Sequence, residues 1–113
     1  MTSLALLFAG NELAGLVIEA ELERVDATLF AVHAEFPGGL PPWFVHPGDA
    51  DSERQLRALG SAQAGRVPFL PPPEAVTVLL RCGDGRTVSG DGPTVAAAFG
   101  WALRHCAGPP AAT

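Results

Sequence analysis

The sequence predicts a small α+β domain in which a helix packs on an antiparallel sheet. Three observations carry this prediction: alternating apolar residues at 28–36, two alternating segments joined by Gly83-Asp84-Gly85, and an alanine-rich segment after Pro93. Period-two alternation is typical of half-buried strands, and a short Gly-Asp-Gly connection is typical of a hairpin. The chain of 113 residues is expected to form one domain over 1–106, with 107–113 as a flexible C-terminal tail.

The N-terminal third is expected to form a three-stranded antiparallel meander. Apolar residues alternate through Leu4–Phe8, again up to Arg24, and a third time through Thr28–Phe36. Gly10-Asn11 has the residue types of a two-residue turn, and a bulge at Gly15 would keep the apolar side chains of the second strand on one face. The predicted register places Glu19 opposite His33 on the solvent-exposed face.

The middle of the chain is expected to contain a short apolar segment and a short helix. Trp43-Phe44-Val45 is a brief apolar segment, and the helix is predicted over about 51–63. Ser52 and Gln55 have the spacing of a capping box, so Ser52 is the expected N-cap. The proline-rich stretch 67–73 is expected to be extended.

The last third is expected to be a hairpin followed by a helix. A three-residue loop with Gly85 in the left-handed conformation would place Val88 opposite Leu80. Asp91 is the expected N-cap of the helix, and Pro93 would occupy its first turn, where a missing N–H is harmless. The helix is predicted to end at about Cys106.

This last helix is apolar on almost every side. Its predicted buried stripe consists of Val95, Phe99, Leu103 and Cys106, widened by Ala97, Ala98, Trp101 and Ala102. Such a helix is either deeply buried or shared with a second surface. Trp101 is therefore a candidate binding residue.

Charge and composition disfavour several classes of protein. The net charge is −5, lysine is absent, and the seven arginines are scattered, which disfavours nucleic-acid binding. Neither a signal peptide nor an apolar run long enough to cross a membrane is recognisable, so a cytoplasmic protein without membrane contact is expected. The scarcity of Lys, Tyr, Ile and Asn is typical of a GC-rich genome, bacterial or phage.

Cys82 and Cys106 form no CxxC pair and lack metal-ligand spacing to the histidines. The prediction is two small buried thiols in a reducing compartment. A disulfide is conceivable, because the hairpin and helix bring both residues near the same end of the unit. No cofactor, metal site or catalytic set is predicted.

The segment 43–49 is the best candidate for a binding site. It places Trp43, Phe44, His46 and Asp49 between two stiff proline-containing loops. Rigid aromatic loops on a scaffold are typical of binding surfaces, and an aromatic anchor would suit a protein partner or a flat ligand.

The sequence therefore predicts a non-enzymatic binding or accessory domain that acts through protein–protein contacts and self-associates as a homodimer. The alternative is a small enzyme or metal- or ligand-binding protein whose site consists of His33, Glu35, His46 and Asp49. That alternative requires these side chains to converge. Nucleic-acid binding would require a single patch of Arg81, Arg86 and Arg104.

Overall fold

The computed structural model describes residues 12–39, 41–46, 48–63 and 73–107. Three helices and four strands lie within these ranges and confirm the α+β class. In chain order they are α1 (Glu12–Arg24), β1 (Thr28–Glu35), β2 (Trp43–Val45), α2 (Ala50–Gln63), β3 (Ala75–Arg81), β4 (Thr87–Gly92) and α3 (Val95–Ala107).

The four strands form one sheet in the order β2-β1-β3-β4, with every neighbouring pair antiparallel. Strand β1 is central and pairs with β2 on one side and β3 on the other. Helix α2 lies in the connection between β2 and β3. Strands β2 and β4 are the edges of the sheet in the part of the chain that the structure describes.

A single apolar core covers one face of the sheet, here called the inner face. All three described helices contribute to it, α1 through Ile18 and Leu22, and α2 through Leu56 and Leu59. The strands and α3 supply the rest of the fully buried side chains: Val32, Ala34, Val45, Val76, Val78, Leu80, Val95, Ala98, Phe99 and Ala102. The opposite face, here called the open face, carries no side chain of that core cluster.

The predicted second strand is wrong, because residues 12–24 form the helix α1. The alternation of Ile18 and Leu22 with glutamates fits a strand, but the same residues also recur at helical spacing. Ala, Leu, Glu and Arg dominate this segment, and they are strong helix formers, so intrinsic propensity decided the outcome. The predicted bulge at Gly15 and the pairing of Glu19 with His33 are wrong for the same reason. The predicted first strand and the Gly10-Asn11 turn lie outside the described residues.

Helix α1 ends in a motif that usually contains glycine. Asp26 has a φ of 57°, in the left-handed region. The Ala27 N–H donates to the Leu22 carbonyl at 2.9 Å and the Asp26 N–H donates to the Glu23 carbonyl at 3.1 Å. These two bonds define a Schellman motif. Because aspartate stands where glycine is the usual signal, the sequence does not reveal this helix end.

Both predicted N-caps are displaced by three residues. In α2 the Ser52 N–H donates to Asp49 Oδ2 at 3.1 Å, so Asp49 is the cap and Ser52 lies in the first turn. In α3 the Ala97 N–H donates to Thr94 Oγ1 at 3.1 Å. Asp91 instead lies in β4 and accepts a hydrogen bond from the Thr77 hydroxyl at 2.8 Å.

The C-terminal hairpin follows the predicted register. Val88 lies opposite Leu80 and Gly85 has a φ of 94°. In the turn, Asp84 accepts the Arg86 backbone N–H at 3.0 Å and the Arg86 Nε–H at 2.7 Å. The backbone hydrogen bond, and then the guanidinium, lower the pKa of the Asp84 carboxyl.

Helix α3 lies unusually close to strand β4. A Cβ atom added at Gly90 would overlap the backbone of Ala98 and Ala102. Glycine at this position therefore allows the helix backbone to approach the edge strand directly.

The prediction of two separate thiols is wrong, because Cys82 and Cys106 form a disulfide with their Cα atoms 5.6 Å apart. The bond joins the end of β3 to the last turn of α3. None of the described helices has both the length and the apolar character needed to cross a bilayer.

Candidate functional site

The predicted aromatic pair at 43–44 is divided between the two faces of the sheet. Trp43 is half-buried on the inner face, where its ring lies 4.9 Å from that of Phe36. Phe44 points to the open face and is 62% exposed. Because successive strand residues alternate in direction, a regular β2 cannot present both rings to the same partner.

The two polar members of the predicted site also separate. Asp49 serves as the N-cap of α2. His46 is exposed after the end of β2, and its ring lies 6.4 Å from that of Phe30 in an edge-to-face arrangement. Of the predicted set 43–49, Phe44 and His46 therefore remain as candidate contact residues.

Phe44 and His46 lie next to His33, Phe30 and Arg81, a grouping that the sequence patterns do not predict. The imidazole of His33 stacks on Phe44 with a centroid distance of 4.3 Å. The Arg81 guanidinium lies 4.8 Å from the centroid of Phe30, which is itself 42% exposed. We call Phe30, His33, Phe44, His46 and Arg81 the open-face cluster.

A bulge in β1 places Phe30 in this cluster. The register with β3 shifts between Leu29 and Ala31, so Phe30 is the extra residue. Leu29 packs on the core while Phe30 lies under Arg81. Bulges redirect side chains, and this one moves a ring that the alternation pattern assigns to the core onto the opposite face.

One polar atom of the cluster is unsatisfied. His33 Nε2 is buried without a hydrogen-bond partner among the described residues. Leaving such an atom unpaired costs about 1–3 kcal/mol of folding free energy.

The open face carries Asp91 on β4, which accepts a hydrogen bond from Thr77, and one charged residue at each end of the β1–β3 ladder. Arg81 is opposite Thr28 at one end of the β1–β3 ladder, and Glu35 is opposite Ala75 at the other. Neither side chain has an ion-pair partner among the described residues. Aromatic rings thus line the open face along β1 and β2, with an unpaired positive charge at one end of the β1–β3 ladder and an unpaired negative charge at the other.

Trp101 lies on a different surface, beside the outer edge of β4. It is 50% exposed rather than part of the buried stripe. The Arg104 guanidinium lies 5.1 Å from its ring centroid and the His105 ring 6.3 Å away. Trp101 and His105 border a groove of about 310 Å³ whose other lining residues are Ser89, Gly90 and Asp91.

Helix α1 presents a third apolar surface. Leu13, Leu16 and Val17 are each more than half exposed. Their spacing places them on the side of the helix opposite Ile18 and Leu22, which enter the core.

The residues of the alternative site are divided, because His33 and His46 belong to the open-face cluster and Asp49 does not. Asp49 caps α2, whereas His33 stacks on Phe44 and His46 lies next to Phe30. Within the described ranges, no group of three His, Cys, Asp or Glu residues is placed to hold a metal ion.

The arginines required for a nucleic-acid patch are also separated. Arg81 lies on the open face, and Arg104 lies on α3, which covers the inner face. The Arg86 guanidinium binds Asp84 in the hairpin turn.

Sequence reasoning missed Phe30 and Arg81 as site residues. Both follow a regular strand alternation that gives no sign of the bulge, and their contact depends on the β1–β3 register. Comparison with known protein families, curated proteins and solved structures finds no match to this chain.

Proposed function

We propose that this chain is a non-enzymatic protein-binding domain that self-associates through the open face of its sheet. The observation that carries the proposal is the exposure of Phe44 and Phe30 on a sheet face that the core-forming helices do not cover. Exposed aromatic side chains beside an arginine are the residue types that dominate binding energy at protein interfaces.

The charge distribution supports a second copy of the chain as the partner. Two sheets can stack face to face at a spacing of about 10 Å. When the strands of the two copies run in opposite directions, Arg81 of one copy approaches Glu35 of the other. When they run in the same direction, like charges meet. The face is therefore self-complementary in one arrangement, as a two-fold symmetric interface requires.

The cytoplasmic location expected from the sequence stays a prediction. The Cys82–Cys106 bond weighs against it, because structural disulfides are rare in reducing compartments.

The proposal is tested by measuring the mass of the protein over a range of concentrations by sedimentation equilibrium. The natural chain should form a dimer, and Phe44→Ser should weaken it about tenfold or more, as loss of an interface anchor does. Leu16→Ser on α1 is the matched control, since Leu16 is 58% exposed and Phe44 62%. It should leave the dimer unchanged.

A charge exchange tests the arrangement of the two copies. Arg81→Glu should weaken the dimer by placing like charges together, and adding Glu35→Arg should restore it. A chain that stays monomeric at every concentration would reject self-association. A dimer that resists Phe44→Ser but is lost in Leu16→Ser would move the interface to α1 and reject the open face.

A further inference from the structure

The outer edge of β4 carries a row of backbone groups without a partner strand in the described part of the chain. The Cys82 N–H donates to the Arg86 carbonyl at 2.8 Å. Hydrogen-bonded pairs recur at every second position of an antiparallel ladder, so Val88, Gly90 and Gly92 bond to β3. The intervening residues Thr87, Ser89 and Asp91 therefore direct their N–H and C=O groups away from the sheet, and all three are exposed.

Trp101 overhangs this row. Helix α3 lies over Gly90, and the indole projects beyond the strand at the groove that Ser89 and Asp91 also line. A chain added beside β4 would thus find backbone partners on one side and an aromatic surface above. Grooves between an edge strand and a helix are a recurrent geometry for capturing extended peptides.

The close packing of α3 on β4 restricts what can occupy the edge. Neighbouring strands are about 4.8 Å apart, whereas packed helices need about 8–10 Å between their axes. If β4 of a second copy paired with this edge, the α3 helix of that copy would lie about one strand spacing from the α3 helix of the first. The two helices and the Trp101 side chains would then compete for the same space. An extended segment with no helix above it fits instead.

The charges near Trp101 define the chemistry of that segment. Arg104 lies over the indole and has no ion-pair partner among the described residues. His105 lies one residue further along the helix and borders the groove. A side chain that points toward α3 meets the indole, and the side chains two residues away in the peptide point to the same face as Arg104. The Asp91 carboxylate accepts a hydrogen bond from Thr77 on the opposite face. The site therefore favours an apolar residue close to an acidic one.

We propose that the β4 edge and Trp101 form a β-augmentation site, which binds an extended apolar-acidic peptide of another protein as a fifth strand. This site is separate from the open face, so it does not depend on self-association. It gives the domain two binding surfaces, one for its own copy and one for a partner chain.

Amide hydrogen exchange tests whether the edge is free. In the chain alone, the N–H groups of Ser89 and Asp91 should exchange fast, and those of Val88 and Gly90 slowly. Protection of Ser89 and Asp91 in the chain alone would show that the edge is already paired, by a segment of this chain or a second copy. That result would overturn the proposal.

Selection from a displayed library of random decapeptides, with the full chain as bait, tests the peptide chemistry. The enriched peptides should combine apolar and acidic residues. A synthetic selected peptide should then protect the Ser89 and Asp91 amides from exchange. Failure to enrich any peptide, or enrichment of peptides that leave these amides unprotected, would overturn the proposal.

Fluorescence polarisation of the labelled selected peptide locates its site. Trp101→Ala should weaken binding about tenfold or more, and Phe44→Ser should leave it unchanged. N-methylation of every second peptide amide should abolish binding when those amides face β4 and should spare it when they face away from β4. This readout needs no change to the protein. A peptide that responds to Phe44→Ser and not to Trp101→Ala would reject the edge while leaving the open face in place.

Discussion

The ring of Phe44 lies flat on the imidazole of His33, with centroids 4.3 Å apart and planes within 6° of parallel. The two residues are direct cross-strand neighbours in the β1–β2 ladder. Strand register alone therefore joins a histidine of one predicted candidate site to an aromatic residue of another. The exposed ring of Phe44 is held in a defined orientation before any partner arrives, which reduces the conformational entropy lost on binding.

A double-mutant cycle should detect this stacked pair. Phe44→Ala, His33→Ala and the double variant should show a coupling of about 0.5–1 kcal/mol in urea unfolding, the range of aromatic cross-strand pairs. Phe44 and Trp101 lie on different surfaces, so a cycle between these two should give additive effects. A His33–Phe44 coupling near zero would mean that the stack does not stabilise the fold.

Gly90 should be the glycine of the β4–α3 contact that least tolerates a side chain. Gly90→Ala places a methyl group against the α3 backbone and should destabilise the fold by about 1–3 kcal/mol, as overpacking does. Gly100→Ala is the control on the same helix, because no atom lies within 4 Å of its added Cβ. It should be neutral or stabilise by up to about 1 kcal/mol, and equal losses in both variants would contradict the observed helix position.

The disulfide should contribute to stability through the loop that it closes. The cysteines are 24 residues apart in sequence, so opening the bond should cost about 3 kcal/mol. The expected fall in Tm for a chain of this size is roughly 10 °C or more. Calorimetry with and without a reducing agent measures it, and the variant with serine at 82 and 106 should not respond to reduction.

Two alanine variants should identify the N-cap of α2. Asp49→Ala removes the acceptor of the Ser52 N–H and should cost about 1 kcal/mol. Ser52→Ala keeps that N–H and should cost about 0.5 kcal/mol or less. The reverse order in thermal unfolding would reinstate Ser52 as the cap.

Neighbouring residues of α3 should differ sharply in their effect on stability. Phe99 is fully buried, and Phe99→Ala should destabilise by about 3–5 kcal/mol. Trp101 is 50% exposed, and Trp101→Ala should cost about 1 kcal/mol or less. Denaturant unfolding of both variants checks the assignment. A large loss in Trp101→Ala would show that the indole belongs to the core and would remove it from the proposed peptide site.

Local signals in the sequence were sufficient where one pattern excluded the others. The hairpin register of Val88 and Leu80 follows from the alternation of its strands and the left-handed Gly85. The span of α2 also agrees with its prediction, and Val95, Phe99 and Leu103 of the predicted stripe of α3 are buried, whereas Trp101 is exposed. In each case residue periodicity and turn chemistry favour the same structure.

The local sequence signals gave the wrong structure where strand and helix periodicities coexisted, or where another residue stood in place of the glycine that usually ends a helix. Segment 12–24 alternates like a strand, yet its residues prefer a helix, and Asp26 ends that helix where glycine would have marked it. The prediction of two free thiols rested on the expected reducing compartment. Disulfide formation also depends on the Cα separation of Cys82 and Cys106, which is a property of the folded chain. Composition favours the helix over 12–24, whereas the helix end at Asp26 and the disulfide depend on the conformation of the folded chain.

By itself, the sequence determined the α+β class, the C-terminal hairpin and the apolar character of α3, because each depends on the order of neighbouring residues. The tertiary structure decided where the exposed aromatic residues lie. The bulge at Phe30 and the β1–β2 register assembled the open-face cluster. The close approach of α3 to Gly90 placed Trp101 at the sheet edge. Both arrangements join residues that are distant in sequence, so only the packing of strands and helix could bring them together.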